Sequence, residues 1–254
     1  TESHDSTTVV KIGGACLSTT ADYDALARYL EVLFDDGRQV ILVHGGNPQI
    51  EALHEDLGVA TERRKGLRVT SGESMQLVTM ALCGAVNKTL VAALIERNVP
   101  ALGMSGVDLG ILRADFVDRE TLGRVGAPPT VDVRRLRRLL RDGLVLVVAP
   151  VSLDPEGGLI NVNADDAAQA IACALPATTL DFASDVPGIV LADGFARRIS
   201  SRSVEKLIES AQIRGGMVPK IRAAVEALEA GIGTVRIGTL DSLGGHSATE
   251  VVSS

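Results

Sequence analysis

The run Gln39-Val40-Ile41-Leu42-Val43 passes directly into His44-Gly45-Gly46-Asn47-Pro48, and the reading of this stretch decides the fold. An apolar run without polar alternation marks a strand buried on both faces, as in parallel sheets covered by helices. The glycine pair ends the strand, and Pro48 suits the first turn of a helix. Val9-Val10-Lys11-Ile12 followed by Gly13-Gly14 repeats the pattern, with a helical periodicity over 21–35 behind it. Two successive strand–glycine–helix units predict an α/β protein with an open, mainly parallel sheet sandwiched by helices.

Outward from these units, Met75, Val78, Leu82, Val86, Leu90 and Leu94 recur at helical spacing, predicting one long helix over 72–98. Further strands are expected at 100–104, 144–151, 179–183 and, last, 234–237. Helices are expected at 133–142, 164–174, 204–210 and 220–231. No Pro/Ser-rich linker interrupts the chain, so two lobes would share one continuous sheet. Residues 1–8 read as a disordered tail, 9–176 as an N-terminal lobe and 177–254 as a C-terminal lobe.

Composition removes several function classes. With four Phe, two Tyr and no Trp, there is little to build a base-stacking platform, and a net charge of -7 disfavours polyanion binding. No nucleic-acid partner is expected. Cys16, Cys83 and Cys173 form no CxxC pair and read as reduced thiols of a cytoplasmic protein. The four histidines show no ligand spacing, so no protein-held metal is expected. The polar start, TESHDSTT, is not a signal peptide, and apolar runs such as LVLVVAP are too short to cross a bilayer. A soluble protein without a membrane partner is expected.

Glycine pairs at the carboxyl ends of parallel strands let backbone amides approach an anion, with a helix dipole behind them. Gly13-Gly14 and Gly45-Gly46 would make two such cradles where open α/β sheets place ligands. The commoner nucleotide and hydrolase motifs are absent. There is no GxxxxGK[ST], Gly13-Gly14-Ala15-Cys16-Leu17 does not fit GxGxxG, and Val107 breaks a GxSxG reading at Gly103-Met104-Ser105-Gly106.

What remains is Lys11 beside the first glycine pair, Asn161-Val162-Asn163-Ala164-Asp165, and Gly215-Gly216-Met217-Val218-Pro219-Lys220. With VVKIGG, VHGG, GLRVT, NKTLVA, APV, INVNADDAA, SDVPGI and GGMVPK in order, the chain resembles the amino-acid kinase family from Val9 to about Ile237, its N-acetylglutamate kinase branch in particular. The resemblance implies ATP, with Mg²⁺ carried by the nucleotide, and phosphorylation of the side-chain carboxylate of a small acidic amino-acid derivative in arginine biosynthesis. It implies a substrate-binding N-terminal lobe, an ATP-binding C-terminal lobe, and a homodimer formed through the long helix. Lys11 and Lys220 would supply positive charge around the phosphoryl oxygens, and Asp165 would hold both lysines. The amides of Gly13, Gly14 and Gly46 would stabilise the transferred group and the attacking carboxylate. Gly45, Gly46, Asn47, Arg68 and Asn161 would contact the acid substrate. Ser184, Asp185, Gly188 and Met217 would join Lys11, Gly13, Gly14 and Lys220 around ATP. Physical chemistry suits these roles, because an ionised carboxylate needs no general base, only positioning and charge stabilisation.

Some residues have plainer readings: Asp165 suits the first turn of any helix, and Asn161 suits a turn. One position departs from the family, which usually carries a third glycine where this chain has Asn47. A dimer is expected rather than an arginine-regulated hexamer. Two other readings stand beside the main one. Arg63-Arg64-Lys65 and Arg134, Arg135, Arg137, Arg138 and Arg141 would suit an acidic amino-group carrier protein bearing glutamate or α-aminoadipate. A non-catalytic ligand sensor on the same fold is the third, against which the retention of Lys11, Asp165 and Lys220 speaks.

Overall fold

The computed structural model describes residues 6–13, 16–64, 66–175 and 179–253. Its centre is an eight-stranded sheet in the spatial order Arg198–Ser200, Thr249–Val252, Thr234–Gly238, Thr179–Ala183, Thr7–Ile12, Gln39–His44, Val145–Ala149, Ala101–Ser105. Neighbouring strands run parallel except where Thr249–Val252 pairs antiparallel with Thr234–Gly238. This is the expected α/β architecture.

Strand alternation divides the core. Val9, Ile41, Val43, Leu146, Val148, Leu180 and Phe182 face one side, where helices Ala164–Ala174 and Met217–Glu229 bury their apolar stripes. Val10, Ile12, Val40, Leu42, Val145 and Val147 face the other side and pack on helix Thr20–Asp35 and on Leu90 and Leu94. Burial on both faces explains why these strands read as continuous apolar runs.

Helix starts follow local chemistry. Thr19 and Asp22 form a reciprocal capping box before Thr20–Asp35. Asn163 accepts the Asp165 amide at 2.8 Å and starts Ala164–Ala174.

Several expectations need revision. The first strand begins at Thr7, so Thr7 and Thr8 are buried sheet residues rather than tail. The 72–98 helix is interrupted: α-helix Gly72–Thr79, π-helix Met80–Val86, α-helix Asn87–Glu96. Gly72–Glu96 is long and apolar enough to cross a membrane by length and composition. Its Met75, Val78, Ala81, Leu82, Leu90 and Leu94 are spent on the protein core. Strand Thr249–Val252 follows the one expected to be last, and Met217–Glu229 begins before residue 220. A smaller sheet of five short strands, Val125–Gly126, Leu159–Val162, Val151–Leu153, Leu112–Arg113 and Thr130–Val131, was not anticipated. It forms one wall of the cleft described next. The expected lobe boundary at 176/177 lies outside the described residues. The sheet itself is continuous across both parts of the chain, Thr179–Ala183 pairing with Thr7–Ile12.

Candidate active site

A cleft of about 280 Å³ opens at the carboxyl ends of the Thr7–Ile12 and Gln39–His44 strands. Strand Thr7–Ile12 delivers Lys11, whose ammonium lies 2.9 Å from Oδ1 of Asp165. Asp165 sits in the first turn of Ala164–Ala174, where the helix dipole favours a carboxylate. Gly13, Gly45 and Gly46 border the same cleft, and Gly45 N–H donates to Ile12 O at 2.9 Å, tying the two glycine turns together.

The far wall carries Arg68, which is 6 % exposed. It lies on the hairpin Arg63–Arg64/Leu67–Arg68. Its Nη2 donates to Asn47 Oδ1 and to Glu51 Oε1, each at 3.1 Å. Its Nε and Nη1 are buried without a partner among the described residues. A buried guanidinium with two free donors costs free energy unless a ligand satisfies them. Burial, and then the charge of Arg63, pull the Arg68 pKa below its ordinary value. Asn161 reaches the cleft from strand Leu159–Val162 and donates from Nδ2 to Thr70 Oγ1 at 3.4 Å.

Lys220, in the first turn of Met217–Glu229, is not part of the cleft lining, but it shares its field. Burial and then Lys11 lower its pKa, while Asp165, Cys16 and Asp185 oppose the shift. Two lysines and a carboxylate therefore act on one another from three different elements. Ser184 and Asp185 follow strand Thr179–Ala183, with Ser184 Oγ donating to Asp185 Oδ1 at 3.1 Å. Met217 is half-buried against the core.

Lys11, Gly13, Gly45, Gly46, Asn47, Arg68, Asn161 and Asp165 thus come together, with Lys220 and Asp185 acting on them electrostatically. Gly14 lies outside the described residues. Gly188 has a packing reason for being glycine: a Cβ there would meet Thr249 Oγ1 at 2.5 Å and the Phe195 ring at 2.7 Å. Close packing accounts for this glycine, and it leaves open the ATP contact that the resemblance implies. Glu51, Gly126 and the pair His44–Asn87 escaped the sequence reading. Glu51 follows Asn47 by one helical turn, the only sequence signal that it would reach the same guanidinium.

Residues 6–239 match the Amino acid kinase family. The chain belongs to that family. Acetylglutamate kinase from Geobacillus kaustophilus (strain HTA426) is 41% identical over 231 residues, covering 91% of this chain and 89% of that protein. Acetylglutamate kinase from Roseiflexus sp. (strain RS-1) is 41% identical over 240 residues, covering 93% and 90%. Among solved structures, smu.665 from Streptococcus mutans UA159 superposes with a TM-score of 0.84 at 30% identity, covering 99% of this chain and 100% of that one. Carbamate kinase from Giardia lamblia shares the fold, with a TM-score of 0.69 at 18% identity, covering 98% and 99%. As an amino acid kinase, the protein is an acetylglutamate kinase-like phosphotransferase, and its cleft lies where such a sheet exposes charged side chains and glycine amides together.

Proposed function

We propose that the protein transfers the γ-phosphoryl group of ATP to the side-chain carboxylate of N-acetyl-L-glutamate, a step of arginine biosynthesis. The observation that carries this reading is Arg68: a buried guanidinium whose Nε and Nη1 have no partner among the described residues, in the cleft that holds the Lys11–Asp165 pair. A planar guanidinium recognises a carboxylate better than an ammonium does. Its place opposite the lysine pair fits a substrate with two carboxylates, one bound and one reacting.

The residues present fit ATP. Lys11 and Lys220 provide positive charge from separate elements, Gly13 and Gly46 provide backbone amides, and Asp165 neutralises part of the lysine field. ATP supplies the phosphoryl group, and its Mg²⁺ would travel with the phosphates. No group of three metal-ligating side chains occurs among the described residues. A carboxylate oxygen forms the new O–P bond as the bond to the β-phosphate oxygen breaks, ADP keeping that electron pair. No proton moves, and the chain needs no general base. Lys11 and Lys220 stabilise the oxygens that gain charge, and Arg68 and Asn161 hold the acid in line.

Exposed Met80, Ile95 and Leu102 around the long helix support a homodimer, checked by light scattering. A cytosolic setting suits the free thiols of Cys16, Cys83 and Cys173. A second reading, an acid presented by a carrier protein, is favoured by the exposed Arg134, Arg135, Arg137, Arg138 and Arg141.

The deciding experiment is ATP-dependent acyl-phosphate formation trapped with hydroxylamine. N-acetyl-L-glutamate should turn over well above glutamate, aspartate and α-aminoadipate. Silence on every free acid, from protein that still binds ATP, would transfer the case to the carrier-bound substrate.

A further inference from the structure

We propose that His44 and Asn87 are positioning residues that aim the Gly46 amide into the cleft. The inference rests on the phosphoryl-transfer reading for its kinetic consequence, but its geometry stands alone.

His44 ends strand Gln39–His44 and is 0 % exposed. Its Nδ1 lies 3.0 Å from Gly45 O, and its Nε2 lies 3.0 Å from Asn87 Nδ2. A carbonyl only accepts, so Nδ1 carries the proton. Asn87 Nδ2 also faces Val147 O at 3.0 Å and Met104 O at 3.4 Å, which identifies it as the amide nitrogen. His44 Nε2 is therefore the acceptor, and the ring is the neutral Nδ1–H tautomer. Burial pushes its pKa down to about 4, in keeping with that state.

The peptide between Gly45 and Gly46 is planar and trans. Once His44 pins Gly45 C=O, the Gly46 N–H must point the opposite way. Gly46 borders the cleft, and its N–H donates to no described backbone group. Both ring nitrogens are occupied beneath the loop, so His44 cannot act as an acid or base on substrate. It sets a direction.

The long helix makes this arrangement possible. A π turn accommodates an extra residue, and one residue rotates the following helical face by about 100°. Asn87 is the first residue after the π segment Met80–Val86, and it arrives under His44. Two residues of the π segment form the floor: a Cβ on Gly46 would lie 2.7 Å from Leu82 Cδ2 and 3.0 Å from Val86 Cγ2. On the other side, a Cβ on Gly103 would lie 2.2 Å from Asn87 Oδ1. Lys88 Nζ donates to the same Oδ1 at 3.1 Å, completing the amide's partners.

The test compares His44→Asn with His44→Leu. The asparagine amide nitrogen occupies roughly the place of imidazole Nδ1 and keeps a donor for Gly45 O; leucine keeps none. Both variants remove the acceptor for Asn87, so both should lose similar thermal stability. Acyl-phosphate assays should show kcat falling about 10- to 100-fold in His44→Leu, as for a reacting group slightly misaimed, with KM for ATP nearly unchanged. His44→Asn should recover most of that loss. Equal kcat in the two variants, or wild-type kcat in His44→Leu, overturns the inference. Should the wild type form no acyl phosphate from any acid, the phosphoryl-transfer reading fails and ¹⁵N spectra decide this one separately. The inference requires the Nδ1–H tautomer of His44 and a Gly46 amide resonance displaced in His44→Leu but retained in His44→Asn. An Nε2–H tautomer or an unmoved resonance overturns it.

Discussion

Buried Arg68 and half-buried Arg236 belong to one chain, one beside the carboxyl ends of the central strands and one toward their amino ends. Arg236 donates to Asp181 from Nε and from Nη2, each at 2.7 Å, to Leu243 O from Nη1 at 3.3 Å, and to Tyr29 Oη from Nη2 at 3.2 Å. Tyr29 donates in turn to Asp181. Burial works against the Arg236 charge, but the hydrogen bonds and charge of Asp181 prevail and raise its pKa. Among the described residues Arg68 keeps two nitrogens without partners, and burial together with Arg63 lowers its pKa. A guanidinium bonded through all three nitrogens staples helix to sheet, whereas one with open nitrogens has donors to offer a ligand. On the proposed function, the central sheet carries structure toward the amino ends of its strands, and recognition lies beside their carboxyl ends.

The contrast is broken most directly at Arg236. Arg236→Ala leaves Asp181 buried without its counter-charge and should cost about 3–5 kcal/mol of stability by urea unfolding. A loss below about 1 kcal/mol would mean that the network is not structural. At the other end, Lys220→Ala should lower kcat about 10²- to 10³-fold while leaving stability unchanged or slightly higher. Its ammonium is half-buried and feels the charge of Lys11, so removing it relieves a cost. Parallel losses of kcat and stability would erase the distinction between the two ends.

Arg68→Ala should raise KM for the acid about 10- to 100-fold, the range for a lost charged hydrogen bond, with kcat little changed. Steady-state kinetics with the acid varied at saturating ATP measures it. A fall in kcat at constant KM would assign Arg68 to the transition state instead.

The smallest effect concerns Asp166, beside Asp165 on the same helix. Burial, then Asp165, then Glu226 raise its pKa from 3.8 to about 6. The sign follows from linkage: ionisation is harder in the folded state, so the penalty is absent below the unfolded pKa and complete above the folded one. Asp166→Asn should therefore stabilise the protein by roughly 1–2 kcal/mol at pH 7–8 and by almost nothing near pH 4. A gain independent of pH would show that its charge is not the cause.

Much of this architecture was readable along the chain. Helix Ala164–Ala174 and strand Thr179–Ala183 agree with expectation residue for residue, because an Asn163 cap and an apolar run are local signals. Lys11 and Asp165 were legible through their motifs, and the structure pairs them. The strands of the smaller sheet are two to four residues long, too short for any periodicity to show. The π segment left the apolar stripe of the long helix intact, so nothing in the spacing announced it. His44 and Asn87 are 43 positions apart, and neither carries a sign of the other.

The sequence by itself determined the alternation of strand and helix, the glycine turns at the strand ends and the kinds of charge placed near them. These follow from local propensity and from burial patterns repeating within a few residues. Only the tertiary structure decided which charges are saturated and which are left open. Arg236 and Arg68 are the same residue type, and what separates them is whether Asp181 and Tyr29, far off in the chain, arrive at the guanidinium. Hydrogen-bond saturation depends on distances between elements that packing alone sets.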